Sequence, residues 1–249
     1  MEYLDGLFRW LHVLAGIVWI GHLYFFNFVN GPFAATMDAE TKKKVVPELM
    51  PRALYWFRWG AVWTWGTGVL LLLLVYYHSN LVFKDMQSNW GLPAFIMIAV
   101  TFLGVFAYDI LYKGPLKDLQ KGFIGGVILA TVVVCLMAWF AGFSYRGYAI
   151  HLGAMFGTIM AFNVWFRIWP SQQKIITAVK NGEAPDAALV ALAGLRSRHN
   201  TYMSVPLVFM MVSQHVPSAA SPLIVAAIVP IGFGLVYHLY DRAPKVKGF

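Results

Sequence analysis

Apolar residues recur along this chain in seven long runs, at about 5–29, 53–77, 91–112, 122–143, 147–169, 199–216 and 221–241. A helix that crosses a bilayer needs about 20 consecutive, mostly apolar residues. Every run meets or approaches that length. The sixth is the weakest, because it is short and contains Pro206. A proline is tolerated in a membrane helix where neighbours satisfy the carbonyl it frees. The pattern predicts an all-α, polytopic membrane bundle of about seven transmembrane helices, forming a single integral membrane domain over residues 1–249. The first run lacks a short apolar stretch followed by a small-residue cleavage site, so it is read as a retained helix.

The polar positions between the runs carry the orientation. Lys42, Lys43, Lys44, Arg52 and Arg58 fall between or at the ends of the first two runs. Lys113, Lys117 and Lys121 separate the third and fourth. Arg167, Lys174, Lys180, Arg196 and Arg198 surround the fifth-to-sixth connection, and Arg242, Lys245 and Lys247 follow the last run. Only Arg9, Lys84 and Arg146 of the 19 basic residues fall on the other side. Cytoplasmic loops carry the Lys/Arg excess, so the expected topology is N-terminus outside and C-terminus inside.

The longest connection, about 171–198, holds two helix-prone pieces, QQKIITAVKNG and DAALVALAGLRSR. Asn181-Gly182 breaks them. Ala188, Leu189, Leu192 and Leu195 lie close to a helical stripe. Short amphipathic helices on the cytoplasmic surface are expected there, the second running straight into the sixth span.

Composition narrows the class. The chain is 59% hydrophobic and 12% charged, with mean hydropathy +0.64, against about 25% charged in soluble domains. The lipid bilayer is therefore its main partner. The net charge of +8 follows the topology pattern and does not point to nucleic acid. Cys135, the single cysteine, excludes an intrachain disulfide, a CxxCH haem attachment and a cysteine-ligated iron–sulfur cluster. A small buried hydrophobe is the expectation for it.

Candidate chemistry lies with the histidines. Ionisable side chains inside a membrane helix need a partner or a task, and imidazole is the commonest nitrogen ligand for metals and haem iron. In the predicted topology His12, His151 and His215 share the outer level. His22 lies about 15 Å deeper than His12 and about 80° around the helix, so the two do not easily serve one metal. His199 opens the sixth span on the inner side. His78 reads as a loop residue and His238 as an interfacial anchor. Arg196 and Arg198 could hold carboxylates with their planar forks or simply anchor the inner end. Gly153-x-x-x-Gly157 fits close helix packing or room for a flat macrocycle. Asp109 is expected to pair with a nearby Lys or Arg. A faint repeat sets His12 and Asn27 against His151 and Asn163. It makes His12 and His151 the preferred ligand pair of one haem, with His215 in reserve. His22 with His199 could hold a second, inner haem.

Three stretches carry a resemblance: RWLHVLAGIVWIGHLYF at 9–25, HLGAMFGTIMAFNVWFRIWPSQQK at 151–174, and RSRHNTYMSVPLVFMMVSQH at 196–215. They resemble the N-terminal membrane domain of the PuuD-type membrane-bound urate oxidase family. The opening helix is also similar to the CopD copper-resistance and HemJ protoporphyrinogen-oxidase groups. The resemblance implies a bacterial inner-membrane oxidoreductase with haem b that passes electrons to a c-type cytochrome. In typical members that cytochrome is fused after an additional helix. Here a separate cytochrome or respiratory complex is expected in its place. Carried over to matching positions, it singles out His12, His151, Arg196, Arg198, His199, Asn200 and His215. His22 stands where a small polar residue is the family's pattern. Copper handling, as in the CopD group, and a purely structural subunit of a respiratory complex are the alternative readings.

The basic-residue pattern makes a direct prediction. A reporter fused after Phe249 will read cytoplasmic, and a periplasmic reading will mean that a span is miscounted.

Overall fold

The structure, a computed structural model, describes residues 2–84, 90–215 and 221–247, and the side chains of Glu2, Leu119 and His215 lie outside that description. The described residues are helical almost throughout. The order is α1 (Glu2–Tyr24), α2 (Gly31–Thr36), α3 (Ala39–Leu71), α4 (Leu92–Leu111), α5 (Leu119–Cys135), α6 (Tyr145–Asn163), α7 (Trp169–Asn181), α8 (Ala187–Val212) and α9 (Pro222–Arg242). Four wider π-helical turns extend these helices, at Phe25–Asn30, Leu72–Tyr77, Leu136–Phe140 and Val164–Ile168.

Six stretches are long and apolar enough to cross a membrane: Tyr3–Thr36, Ala39–Tyr77, Leu92–Leu111, Gln120–Phe140, Tyr145–Asn181 and Pro222–Lys245. They match six of the seven expected runs. The remaining run, the sixth, lies in α8, which starts twelve residues earlier, at Ala187, and brings Arg196 and Arg198 into the same helix. Those charges dilute its hydropathy. Large apolar side chains face outward along the spans, among them Trp10 at 64%, Trp63 at 62%, Ile110 at 70% and Trp139 at 67% exposed. In lipid this exterior is solvated by acyl chains, as in membrane bundles generally.

Local chemistry sets the ends. Asp118 caps α5 by accepting from the backbone N–H groups of Gln120 and Lys121. Asp38 stands before α3 and accepts from the Thr41 backbone N–H at 2.7 Å and the Thr41 hydroxyl at 3.0 Å. These bonds hold the Asp38 carboxyl below its usual range. Prolines sit in the first turn of α2, α4 and α7, where the missing N–H is harmless. Gly182 ends α7 with φ 78°, a left-handed cap that glycine adopts without strain. The Asn181-Gly182 break thus falls where the sequence placed it, and the DAALV piece runs unbroken into α8.

The residues group into two compact units. The first comprises Met1–Thr67, Met160–Tyr202 and Leu235–Phe249. Its core holds Trp19 and Leu23 from α1, Leu54, Phe57 and Ala61 from α3, and Val164, Ala193 and Val236. A Cβ on Gly60 would stand 3.1 Å from the Trp19 backbone nitrogen. The missing side chain is what lets α1 and α3 touch backbone to backbone. The second unit comprises Gly68–Ile159 and Met203–Gly234. Its core holds Leu72, Met97, Val134, Met137, Phe143, Leu152, Met210, Val225 and Val229. Gly153 and Gly157 serve close packing here. A Cβ on Gly153 would lie 3.0 Å from Met211 Cε, and one on Gly157 3.6 Å from Leu207. Side chains of α8 lie against both glycines. Pro206 likewise rests on Gly232, where a Cβ would meet its Cδ at 2.8 Å. Asp109 is buried and pairs with Lys113 at 2.7 Å, as expected. Cys135 is half-buried rather than fully buried, because it lies in the turn before the π-helical stretch, between core-facing Val134 and exposed Leu136.

The segment after α3 docks on the start of α6. Ser144 N–H donates to Val82 O at 2.7 Å, and Ser144 Oγ to Leu81 O at 3.0 Å. Gly147 lies under the Val82 carbonyl so closely that a Cβ there would overlap it. Gly147→Ala will therefore lower stability by about 1–3 kcal/mol, the usual cost of forced overpacking. Thermal unfolding in detergent will show the loss. Gly21→Ala, with no atom within 4 Å of the added carbon, will not show it.

Candidate functional site

The partners of three histidines fix their tautomers. His12 Nδ1 lies 3.2 Å from Thr67 Oγ1. The Thr67 hydroxyl has one proton, and it donates to Trp63 O at 2.6 Å. It therefore accepts from His12, which carries its proton on Nδ1. His22 Nδ1 lies 2.7 Å from Val18 O, and a carbonyl only accepts. That ring too is protonated on Nδ1. His12 also hydrogen-bonds the Thr64 backbone, whereas no described residue hydrogen-bonds the His22 Nε2, which presents a lone pair. A metal-bound imidazole has this form, with one nitrogen on the metal and the other N–H held by an acceptor.

His151 has the same tautomer in a closed setting. It is fully buried. Its Nδ1–H donates to Gly147 O at 2.7 Å, and its Nε2 accepts from the Tyr77 hydroxyl at 2.9 Å. Tyr77 stacks on the ring at 5.6 Å and Phe143 packs at 4.9 Å. The lone pair that could meet a metal is capped. Tyr77 comes from the π-helical turn Leu72–Tyr77. No motif marks it in the sequence, where its only signal is a hydroxyl at the same end of a span as His151. His12 lies in the first compact unit and His151 in the second. His215 ends the short 3₁₀ turn Ser213–His215, and its side chain lies outside the described residues.

The remaining candidates divide along α8. Arg196 is 1% exposed, whereas Arg198 is exposed. Two residues apart on a helix, they point to roughly opposite sides, so they do not act as one fork pair. His199 is half-buried. Asn200 is buried; it accepts from Asn163 Nδ2 at 2.9 Å and donates to Met160 O at 2.9 Å. This joins α6 to α8 inside the first unit. His78 and His238 are exposed, in keeping with a loop and an interfacial role. Among the described residues, no group of three or more His, Cys, Asp or Glu side chains could hold a metal ion.

The first unit also contains a cleft of about 680 Å³. Phe26, Leu54, Phe57 and Ile168 supply an apolar wall, and Asn30, Gln172 and Arg198 supply polar groups. Tyr240 lines it as well. Its hydroxyl donates to Asn27 Oδ1 at 2.8 Å, and Asn27 Nδ2 donates to Ser197 Oγ at 2.9 Å and Leu23 O at 2.8 Å. The Arg198 guanidinium lies 5.1 Å from the Tyr240 ring centre.

The fold and these interior polar groups define a polytopic helical membrane protein. Residues 37–245 match the urate oxidase N-terminal family. The chain belongs to that family. His151, Arg196, Arg198, His199, Asn200 and His215 fall within the matched residues, and α1, with His12 and His22, precedes them. No curated protein and no solved structure matches the chain.

The Tyr77 cap is testable by itself. Tyr77→Phe removes the hydroxyl and leaves a buried imidazole nitrogen unpaired, at a cost of about 1–3 kcal/mol. Lower thermal stability with unchanged helix content is expected. A variant as stable as the parent would show that the bond does not form.

Proposed function

We propose that this chain is the membrane-embedded part of a urate-oxidase-like oxidoreductase. It binds haem b and passes electrons to a c-type cytochrome or respiratory complex. It sits in a bacterial inner membrane with its N-terminus outside. The family match supports the urate-oxidase part of this reading. The observation that carries the haem part is the tautomer set: His12 and His22 each hold the Nδ1 proton on an acceptor, the form of a metal-bound imidazole.

Haem, when bound, supplies a one-electron ferric–ferrous couple. The chain's own residues orient the ligands. Thr67 accepts the His12 Nδ1 proton while its hydroxyl is anchored on Trp63 O. This fixes the ring plane and raises the basicity of Nε2. His12 and His151 would hold the haem iron. Gly147 O would keep the His151 tautomer, and the Tyr77 hydroxyl, which donates to its Nε2, would have to release that nitrogen. His215 is the reserve ligand, and His22 with His199 is the proposed inner pair.

The test is haem per protein in the parent and in His12→Ala, His151→Ala and His215→Ala, read by the pyridine haemochrome. The parent will carry haem b, and the first two variants will lose it. Should those two keep full haem with unchanged spectra while His215→Ala loses it, the pairing is wrong. A parent without haem removes the cofactor reading.

A further inference from the structure

Arg58 is half-buried where α3 meets the start of α7. Its backbone carbonyl accepts from the Trp165 indole N–H at 3.2 Å. Its guanidinium lies 3.5 Å from the centre of the Trp169 ring and 5.4 Å from that of Trp165. Its Nε–H donates to Leu54 O at 3.1 Å, one turn back along α3. The stacking and this bond hold the planar group in one orientation. Arg167 and Arg198 also lie over rings, Phe162 at 5.2 Å and Tyr240 at 5.1 Å. Each of those arginines spends side-chain hydrogens on the protein. Arg167 Nη1 donates to Phe166 O at 2.8 Å, and Arg198 hydrogen-bonds the Tyr240 side chain. The Nη hydrogens of Arg58 meet no acceptor among the described residues, and no described acid pairs with it.

The place of this open fork says what it faces. Arg58 lies within the apolar stretch Ala39–Tyr77, toward the end that carries Lys42, Lys43, Lys44 and Arg52. Water is scarce at such a level, so a guanidinium there needs an anion. Lys44 and Arg52 have theirs in Glu40 and Glu48, each at 2.7 Å. The surface beside Arg58 is aromatic and turned outward, with Tyr55, Trp56, Trp59 and Trp63 exposed. Tyr55 meets Trp56 edge-on at 5.4 Å and Trp59 at 6.3 Å. Trp59 meets Trp165 edge-on at 5.8 Å, which joins this face to the indoles around the guanidinium. Tryptophan and tyrosine gathered in this way mark the headgroup boundary of a bilayer.

We infer that Arg58 binds the phosphate of a phospholipid whose acyl chains lie over Trp59 and Trp63. With Nε committed to Leu54 O, the fork meets the phosphate end-on, Nη1 and Nη2 each donating to one non-bridging oxygen. The single negative charge of a phosphodiester matches a single guanidinium. No described carboxylate pairs with Arg58 that could also receive a headgroup ammonium, and the lysines at this end of α3 repel one. The site therefore favours phosphatidylglycerol over phosphatidylethanolamine. A free phosphate would leave the aromatic face unused. The indoles set the guanidinium before the lipid arrives, which lowers the ordering cost of binding. Under the proposed topology the lipid belongs to the cytoplasmic leaflet. The site is independent of haem and of the urate-oxidase reading.

Native mass spectrometry of the purified full chain, released from detergent micelles, counts bound lipid after titration with dioleoylphosphatidylglycerol or dioleoylphosphatidylethanolamine. Glycerophosphate is the soluble control. Parent, Arg58→Gln, Arg58→Lys and Arg52→Gln are compared. The parent will hold phosphatidylglycerol in preference to phosphatidylethanolamine and will not hold glycerophosphate. Arg58→Gln will bind phosphatidylglycerol about tenfold more weakly, the usual size of a hydrogen bond to a charged group. Arg58→Lys keeps the charge but loses the fork, and will bind severalfold more weakly. Arg52→Gln removes a cation that already has an acid and will match the parent, which separates a site from general attraction to a basic surface. Thermal unfolding is read on the same samples, and phosphatidylglycerol will raise the unfolding temperature of the parent and not of Arg58→Gln. Equal binding in parent and Arg58→Gln overturns the site. Should Arg58→Gln not fold, Arg58→Lys decides, and parental affinity there overturns the fork. Glycerophosphate bound as tightly as the lipid overturns the proposal in favour of a free-phosphate site. Unchanged lipid binding with an altered oligomeric state in Arg58→Gln, read by light scattering, overturns it in favour of a contact between copies of the chain.

Discussion

Lipid offers no hydrogen bonds, so a chain that crosses it must satisfy its polar groups from within. Every other feature of this molecule depends on that constraint. Backbone groups are satisfied by almost continuous helix. Interior polar side chains are satisfied by short, local bonds, many of them one turn back along the same helix. Thr64 bonds to Gly60 O, Thr101 to Met97 O, Thr131 to Val127 O and Thr158 to Ala154 O. Bonds of this kind keep hydroxyls quiet without committing them to a neighbour. Among the polar groups that reach across helices are His12 to Thr67, His151 to Tyr77, Asn200 to Asn163, and Asn27 to Ser197 and Tyr240. Each joins segments distant in sequence. Each also coincides with, or lies beside, a residue singled out for chemistry.

The π-helical turns belong to the same account. A π turn adds a residue to a helix and rotates the residues beyond it. Asn27 lies within one such turn and Tyr77 ends another. In each case the wider turn helps bring a polar side chain to its partner. Trp165, inside the turn Val164–Ile168, reaches Arg58 O with its indole N–H at 3.2 Å. Arg58 in turn lies 3.5 Å from the Trp169 ring centre. The arginine in a span is thereby shielded by two indoles, the arrangement that makes a cation tolerable near a membrane boundary.

The spans, the Asn181-Gly182 break and the Asp109–Lys113 pair were legible because each is local. Hydropathy, a left-handed cap and an i,i+4 pair are all decided within a few residues. The ambiguity of Gly153-x-x-x-Gly157 had a different source. Small residues create a groove, and only the facing helix decides whether side chains or a cofactor fill it. Met210, Met211 and Leu207 lie against this one. The histidines were legible as candidates and not as tautomers. A tautomer depends on whether the partner accepts or donates, and Thr67 and Tyr77 stand 55 and 74 residues away in sequence. Arg196 and Arg198 looked like a pair because sequence adjacency hides helical phase. At about 100° per residue, a separation of two carries one into the core and the other toward the cleft.

The imidazole tautomers are the physical root of the haem proposal. Nδ1-protonated imidazole is the form in which a histidine can both be oriented by protein and bind a metal. Three histidines here adopt it, two through backbone carbonyls and one through a threonine that has already spent its proton. What separates them is the far nitrogen. In His22 it meets no described hydrogen-bonding group, whereas in His151 it is held by a phenol. That hydrogen bond, about 1 kcal/mol net, keeps the buried imidazole satisfied. Arg198 is likewise held by a tyrosine: its guanidinium lies 5.1 Å from the Tyr240 ring centre and hydrogen-bonds the Tyr240 side chain. In both places a tyrosine satisfies the polar group.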